Sequence, residues 1–340
     1  MSTPTSPDIS VIIVNWNSAN YLRKCLETIY RVPGDLLFEV VVIDNASYDG
    51  CDGMLADRYP QVKFIQSPVN LGFAGANNLA YNHSRGKTLL FLNPDTEIVG
   101  QSLQTMQRLL WEDLGAGALG CTLLNADGTL QTSCIQSFPT ILNQLLDADA
   151  LRRRFPQLSF WGTRPLLEHS DIPVPVEVVS GACLMVKRHV FESAGRFSTD
   201  YFMYAEDTDL CCKIRAAGFV VQYTDQATVI HHGGGSSKQR ELNYFSAVVM
   251  RESLFIFLTK FRGRLYGSFY RLTTGCVALL RVAFLISFLA VVPGKSSRAA
   301  LGVSLGKWVR ILRWSLGHEK WARRLTHEIP ALPEGIQYVR

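Results

Sequence analysis

The chain has 340 residues, 47% of them hydrophobic and 19% charged, enough for one large core or two ordinary ones, which excludes disorder for most of its length. The net charge of +5 is unevenly placed, because residues 250–340 carry 15 Lys/Arg against 4 Asp/Glu and leave the first 249 residues acidic. The eight cysteines have no C-x-x-C spacing, which speaks against a zinc knuckle or a disulfide framework. The polar start MSTPTSPDIS lacks both the basic and the apolar region of a secretory leader, so a reducing, cytoplasmic setting is expected.

Residues 9–14 read ISVIIV, a β-branched run of the kind that a parallel strand buried on both faces requires. A helix is predicted over 19–30, a strand over 39–43 (EVVVI), a helix over 53–59 and a short strand over 62–66. A Gly/Asn-rich turn at 70–75 leads to a predicted helix over 76–84 and a strand over 88–92, closing on Asn93-Pro94-Asp95. Such alternation implies an open, doubly wound, mostly parallel α/β sheet that binds ligands at the carboxyl ends of its strands. Beyond Thr96 the rhythm loosens, with a helix over 102–111, a stretch at 137–175 that carries no clear signal, and a strand over 176–186. A helix over 206–216, short strands over 219–223 and 227–230, and the loop HHGGGSS follow.

Polar clusters sit just past the hydrophobic runs, at residues 15–17, 44–49, 93–95, 206–209 and at His231. A lone Asp after a strand is ordinarily a loop cap, but three such clusters gathered at one sheet edge suggest a ligand site. Gly86-Lys87-Thr88 fails as a P-loop, since the required first glycine falls at Tyr81 and a strand follows where a helix should begin. Gly72 and Gly75 lack the G-x-G-x-x-G spacing after the first strand, so a dinucleotide cradle is not supported.

The blocks VIIVNWN (11–17), VIDNASYDG (42–50), NLGFAGANN (70–78), LNPDTE (92–97), SGACLMVKR (180–188), FMYAEDTDLCCKIRAAG (202–218) and IHHGGGSS (230–237) resemble, in this order, an inverting glycosyltransferase of family 2, most of all its bacterial rhamnosyltransferase-like subgroup. The resemblance implies a GT-A fold over residues 1–245, a nucleotide-diphosphate-sugar donor, a glycan or polyprenyl-linked acceptor, and magnesium or manganese. By position it implies that Val14, Asn15 and Asp44 hold the base and ribose, with Asp49 a weaker candidate. Asn93-Pro94-Asp95 stands where the family places its D-x-D metal motif, with Asn93 in the first acidic position and Asp95 left as the sole carboxylate. His231 matches a family histidine that adds a metal ligand, and Lys238 would belong to a cationic flap over the diphosphate. Gly181 would lie in a close-packed floor under the donor sugar. Asp207 is the expected general base, with Glu206 orienting the acceptor or the base and Asp209 a first-turn acid that complements the helix dipole. Rival readings are a sugar-phosphate nucleotidyltransferase, whose Gly-rich basic loop is missing after the first strand, and a non-catalytic nucleotide-sugar or glycan-binding protein.

Residues 246–340 are expected to form a helical, basic and apolar region. Residues 272–292 are long and apolar enough to cross a bilayer apart from Arg281 at the centre, and in 301–316 Lys307, Arg310 and Arg313 recur opposite Leu305, Trp308, Ile311 and Leu312. The apolar face and Trp308, Trp314 and Trp321 favour lipid headgroups over nucleic acid as the partner of these charges. A location at the cytoplasmic face of the membrane is expected.

Overall fold

The structure is a computed structural model, and it describes residues 6–32, 34–145, 169–233 and 240–327. Its first half alternates strand and helix: β1 (Ile9–Asn15), α1 (Ala19–Ile29), β2 (Phe38–Asn45), α2 (Cys51–Arg58), β3 (Lys63–Ser67), α3 (Gly72–Tyr81) and β4 (Thr88–Leu92). β5 (Thr96–Ile98), α4 (Ser102–Glu112), β6 (Ala116–Leu124), β7 (Ile135–Gln136) and α5 (Ile141–Leu145) follow. After them come β8 (Val174–Pro175), β9 (Val178–Val179), β10 (Cys183–Lys187), α6 (Arg188–Ser193), α7 (Glu206–Ala216) and β11 (Val220–His231). Four tail helices close the chain: α8 (Arg240–Arg262), α9 (Arg264–Val291), α10 (Lys295–Ser315) and α11 (Lys320–His327).

The main sheet runs in the order β3-β2-β1-β4-β10-β6-β11-β5, with β8 added to β11 and β7 paired with β9 apart. β3, β2, β1 and β4 are mutually parallel, as expected, while β10 enters antiparallel beside β4. Every residue of β1 is buried, as the ISVIIV run requires of a strand covered on both faces. Asn15 lies in register with Asp44, so the carboxyl ends of β1 and β2 end level with each other at one edge.

Several elements depart from the sequence reading, three of them in the half of the sheet beyond β4. The strand expected over 176–186 is broken into β9 and β10 by Ser180-Gly181-Ala182, which turns the chain toward α7. The two short strands expected over 219–230 are one strand, β11, with an irregularity between Thr224 and Thr228. β6 went unread because its glycines dilute the strand pattern. They are there for space, since a Cβ on Gly120 would come within 2.6 Å of Val179 Cβ and one on Gly117 within 2.7 Å of Phe219 Cβ.

A second apolar cluster joins the tail to this body. Val248, Leu254, Phe257 and Leu258 of α8, Tyr270 of α9, Trp314 of α10 and Ala322 of α11 pack with Tyr201 and Ala205 of the loop before α7. Lys260 of α8 reinforces the join, reaching Asp209 Oδ1 at 2.8 Å and Asp200 Oδ2 at 3.1 Å. The expected boundary at 245/246 falls inside α8. Of the three tryptophans read as favouring lipid headgroups, one is buried and two are half-buried in the packing of the tail helices. Trp314 is buried and donates to Glu252 Oε2 at 2.6 Å, Trp321 stacks on Phe245, and Trp308 lies under the Arg281 guanidinium at 4.6 Å. Aromatic rings find more buried area in a helix–helix seam than at a surface, so the seam takes them.

Candidate active site

Two adjoining cavities open at the carboxyl edge of the sheet, of about 560 and 540 Å³, and they share Phe73, Asn93, Met203, Tyr204 and His231 as a common wall. The first is lined further by Val14, Asn45, Asn70 and Asp95, the second by Gly181, Glu206 and Asp207. The edge therefore gathers residues from β1, β4, β11 and α7, which lie far apart in the chain.

The loops after β1 and β2 are tied together internally. The Asp44 carboxylate, fully buried, accepts hydrogen bonds from Asn15 Nδ2 at 3.0 Å, Ser47 N at 3.1 Å, Tyr48 N at 2.9 Å and Gln66 Nε2 at 2.8 Å, and from the Ser47 hydroxyl. Asp49 accepts from the N–H groups of Ser18 and Ala19, both at 2.8 Å, and so caps α1 from outside, where a negative charge complements the helix dipole. Burial pushes its carboxyl up, but bonds from Asn15 and Ala19 outweigh this and hold it below the usual range. Asp44, Asp49 and Cys51 bring potential ligand atoms within 4.8 Å of one another, but Asn15 Nδ2 already occupies their midst. Val14 and Asn45 face the first cavity from these strands, and Asn45 is fixed by Asn70 Oδ1 at 2.9 Å and Leu71 N at 2.8 Å.

The other end of the edge is different. Asp95 Oδ1 lies 3.4 Å from His231 Nε2, and Asn93 Nδ2 lies 3.4 Å from the same nitrogen. His232 turns to the opposite side of β11, where it meets Glu97 Oε1 at 2.7 Å and the Tyr21 ring. Lys238 lies outside the described residues.

Glu206 and Asp207 open α7. The chain reaches them through Tyr204 and Ala205, both in the left-handed region at φ 71° and 66°, an unusual conformation for two successive residues that carry a Cβ. Just upstream the chain is pinned: Gly72, at φ +68°, sits so close to Phe202 that a Cβ would come within 2.3 Å of its carbonyl oxygen, and Phe73 N donates to that oxygen at 3.0 Å. The Asp207 carboxylate accepts from Gly181 N at 3.0 Å and Thr208 N at 2.7 Å. Burial raises its pKa and these bonds oppose the rise, leaving it above the ordinary range. Glu206 is buried with Oε2 unpartnered, and burial, with the adjacent Asp207 charge, pushes it up to about 8. Asp209 is fully buried between Ser198, Tyr201, Lys213 and Lys260, away from both cavities.

Sequence reasoning missed several cavity residues. Asn45 and Asn70 had a signal, as polar positions beside a strand end and in a Gly/Asn turn. Phe245 and Ser246 of α8 had none, because a helix far along the chain gives no local sign of where it docks.

The mostly parallel sheet flanked by helices, with cavities at its carboxyl edge, is a GT-A fold. The mannosyltransferase PcManGT from Pyrobaculum calidifontis, solved in complex with GDP-Man and Mn2+, matches it with a TM-score of 0.56 over 93% of this chain and 88% of that one, at 16% identity. Residues 10–163 match the model of glycosyl transferase family 2. The N-acetylglucosaminyl-diphospho-decaprenol L-rhamnosyltransferase of Mycobacterium tuberculosis is 28% identical over 264 residues, 74% of this chain and 83% of that protein. The rhamnosyltransferase WbbL of Escherichia coli is 25% identical over 238 residues, 66% of this chain and 83% of its own length. The chain is thus similar to glycosyltransferases of family 2, and rhamnosyltransferases are among the proteins it resembles.

Proposed function

We propose that this protein transfers rhamnose or a related hexose from a nucleotide-diphosphate donor to a glycan or polyprenyl-linked acceptor, with inversion, at the cytoplasmic face of the membrane. The observation that carries the reading is the pair of cavities that meet at Asn93, Tyr204 and His231, one holding Asp95 and the other Glu206 and Asp207. A donor in the first and an acceptor in the second would bring anomeric carbon and hydroxyl together at the shared wall.

In this mechanism the acceptor oxygen attacks the anomeric carbon while its proton passes to Asp207, and the bond to the nucleoside diphosphate breaks on the opposite face. Direct displacement needs one base and no enzymic nucleophile. Gly181 N–H and Thr208 N–H hold the Asp207 carboxylate in place and help keep it ionised. Glu206, protonated through much of the neutral range, would donate from its carboxyl to an acceptor oxygen and orient the sugar. The donor set fits a hard divalent cation: Asp95 offers oxygen, His231 Nε2 offers nitrogen, and a diphosphate would complete the shell. Such a cation would neutralise charge developing on the leaving diphosphate. The manganese in the Pyrobaculum structure and the lipid-linked acceptor named for the mycobacterial relative agree with this reading.

α9 supports the membrane part. Its Arg264–Leu289 stretch is the one helix among the described residues long and apolar enough to cross a bilayer, and Phe269, Leu272, Leu279, Leu280 and Phe284 stand exposed along it. The deciding experiment offers the full chain dTDP-rhamnose and UDP-sugars with Mn2+ and measures thermal shift and transfer to a lipid-linked glycan. Stabilisation by a nucleotide sugar with release of its nucleoside diphosphate is expected. Donor binding with neither transfer nor hydrolysis across the panel would favour the non-catalytic binding protein.

A further inference from the structure

A chain of hydrogen bonds with a fixed direction ends on His231. The Asp127 carboxylate can only accept, so Thr129 Oγ1, 2.6 Å away, donates to it. Thr129 Oγ1 is thereby free to accept from Asn125 Nδ2 at 2.8 Å, which leaves Asn125 Oδ1 as an acceptor. Gln131 Nε2 lies 2.9 Å from that oxygen and 2.6 Å from the backbone carbonyl of His231, and both are acceptors, so the Gln131 amide nitrogen must point there. Gln131 Oε1 then faces His231 Nδ1 at 2.9 Å. An amide oxygen cannot donate, so the proton of a neutral His231 imidazole belongs on Nδ1. The Nε2 lone pair is left facing Asp95 Oδ1 at 3.4 Å, two electron-rich atoms that a cation or a proton between them would join, with the Asn93 amide as a long donor to Nε2, also 3.4 Å away.

This chain is local and tied to the backbone. It sits on the turn after β6, where Asn125 N donates to Thr129 O at 2.7 Å and Gln131 N to Leu123 O at 2.8 Å. Gln131 therefore clasps one residue twice, at its ring and at its carbonyl, and sets the ring plane as well as the tautomer. A ligand histidine depends on just this support, because the wrong tautomer presents a proton where the cation should be.

We propose that Gln131 is a positioning residue that holds His231 as the Nδ1–H tautomer and so aims Nε2 at a divalent cation shared with Asp95. The proposal rests on the reading of Asp95 and His231 as a cation site. Its test uses the full chain and two readouts besides activity. The first is imidazole nitrogen NMR at pH 8.5 without metal, where the parent should show His231 protonated at Nδ1 and Gln131→Met should shift the population toward Nε2–H. The second is Mn2+ binding by water-proton relaxation, with and without UDP or dTDP. Gln131→Met should weaken it about 10- to 100-fold, while Gln131→Glu, which keeps an acceptor opposite Nδ1 but loses the clasp on the carbonyl, should restore most of the affinity. A parent His231 protonated at Nε2 overturns the proposal even if the variants fail to fold, and so does a Gln131→Met protein with parental tautomer and affinity. If His231→Ala and Asp95→Ala leave Mn2+ binding unchanged, the cation site falls, and the proposal with it, whereas the NMR result still decides what Gln131 does to the ring.

Discussion

Asp44 at the end of β2 and Asp95 just past β4 both stand at the carboxyl ends of parallel strands, yet the first is enclosed by donors from Asn15, Ser47, Tyr48 and Gln66 while the second faces an imidazole nitrogen in the wall of a cavity. Asp209 and Asp207 repeat the contrast two residues apart on α7. Asp209 is buried between two lysines, and Asp207 lines a cavity with its neighbour Glu206 short of a partner. Where the fold satisfies a carboxylate, the group holds architecture. Where the fold leaves it underserved, a ligand has to complete it, and that incompleteness marks the chemistry.

The sharpest test of the comparison exchanges charge for amide on either side of it. Asp207→Asn should fold and bind donor nearly as well as the parent but transfer sugar about 10²- to 10⁴-fold more slowly, the usual contribution of a general base. Asp209→Asn should cost stability, seen as a lower Tm, and leave the chemical step largely intact. Near-parental turnover in Asp207→Asn, with the loss found in Glu206→Gln, would reassign the base.

Next in size is the stability contrast between the two strand ends. Asp44→Ala strands the donors of Ser47, Tyr48 and Gln66 in a buried site and should cost about 3 kcal/mol of unfolding free energy. Asp95→Ala removes one of two facing acceptors and should cost under about 1 kcal/mol while abolishing metal-dependent donor binding. Equal stability losses would mean that Asp95 is as architectural as Asp44. On the proposed reading Asp44 would serve a bound nucleotide through the loop that it folds, while Asn45 is the neighbour that reaches the cavity.

The two ends of the sheet were not equally legible in the sequence. β1, β2 and β4 could be read closely because each carries a continuous run of buried apolar residues, and β3, KFIQS at the edge of the sheet, was placed by the strand–helix rhythm around it. α3 begins at Gly72, four residues before the expected start, because tertiary contact with Phe202 holds a glycine in a conformation that local propensity would class as a turn. Position after a strand drew attention to Asn15, Asp44, Asp95 and His231. It could not tell a satisfied carboxylate from an open one, because the partners of Asp44 are backbone N–H groups, the Ser47 hydroxyl and the side chains of Asn15 and Gln66, which lie far off in sequence. Gln131 left no trace at all, since its role exists only where the turn after β6 meets the end of β11.

Glu206 gives a pH-dependent version of the contrast. Its carboxyl is raised from an unfolded value near 4.5 to about 8, so between those values the native state binds more protons than the unfolded one. By linkage, stability then falls as pH rises through this window, and the penalty is complete above about pH 8. Glu206→Gln removes the titrating group and keeps the shape. Against the parent it should be similar in Tm at pH 4.5 and more stable at pH 9, by up to about 5 kcal/mol. A difference that does not change with pH would mean that Glu206 is already satisfied in the native protein.

The smallest expected effects concern the tail, where the same question of satisfied and unsatisfied groups is asked of apolar surface. The seam of Trp314, Tyr270 and Leu258 is covered, while Leu280 and its neighbours on α9 are exposed, and the two should respond oppositely to a bilayer. Leu280→Gln should leave Tm unchanged and weaken binding to anionic vesicles by roughly tenfold, since burying one leucine is worth about 1.5–3 kcal/mol. Arg264→Gln, at the exposed start of the same helix, removes an electrostatic contribution of about 1 kcal/mol, and its effect should fade in high salt whereas that of Leu280→Gln persists. That difference in salt response separates insertion of the α9 stripe from attraction of the basic tail. A full chain that ignores such vesicles even at low salt would remove the membrane from the proposed function while leaving the sheet edge and its chemistry untouched.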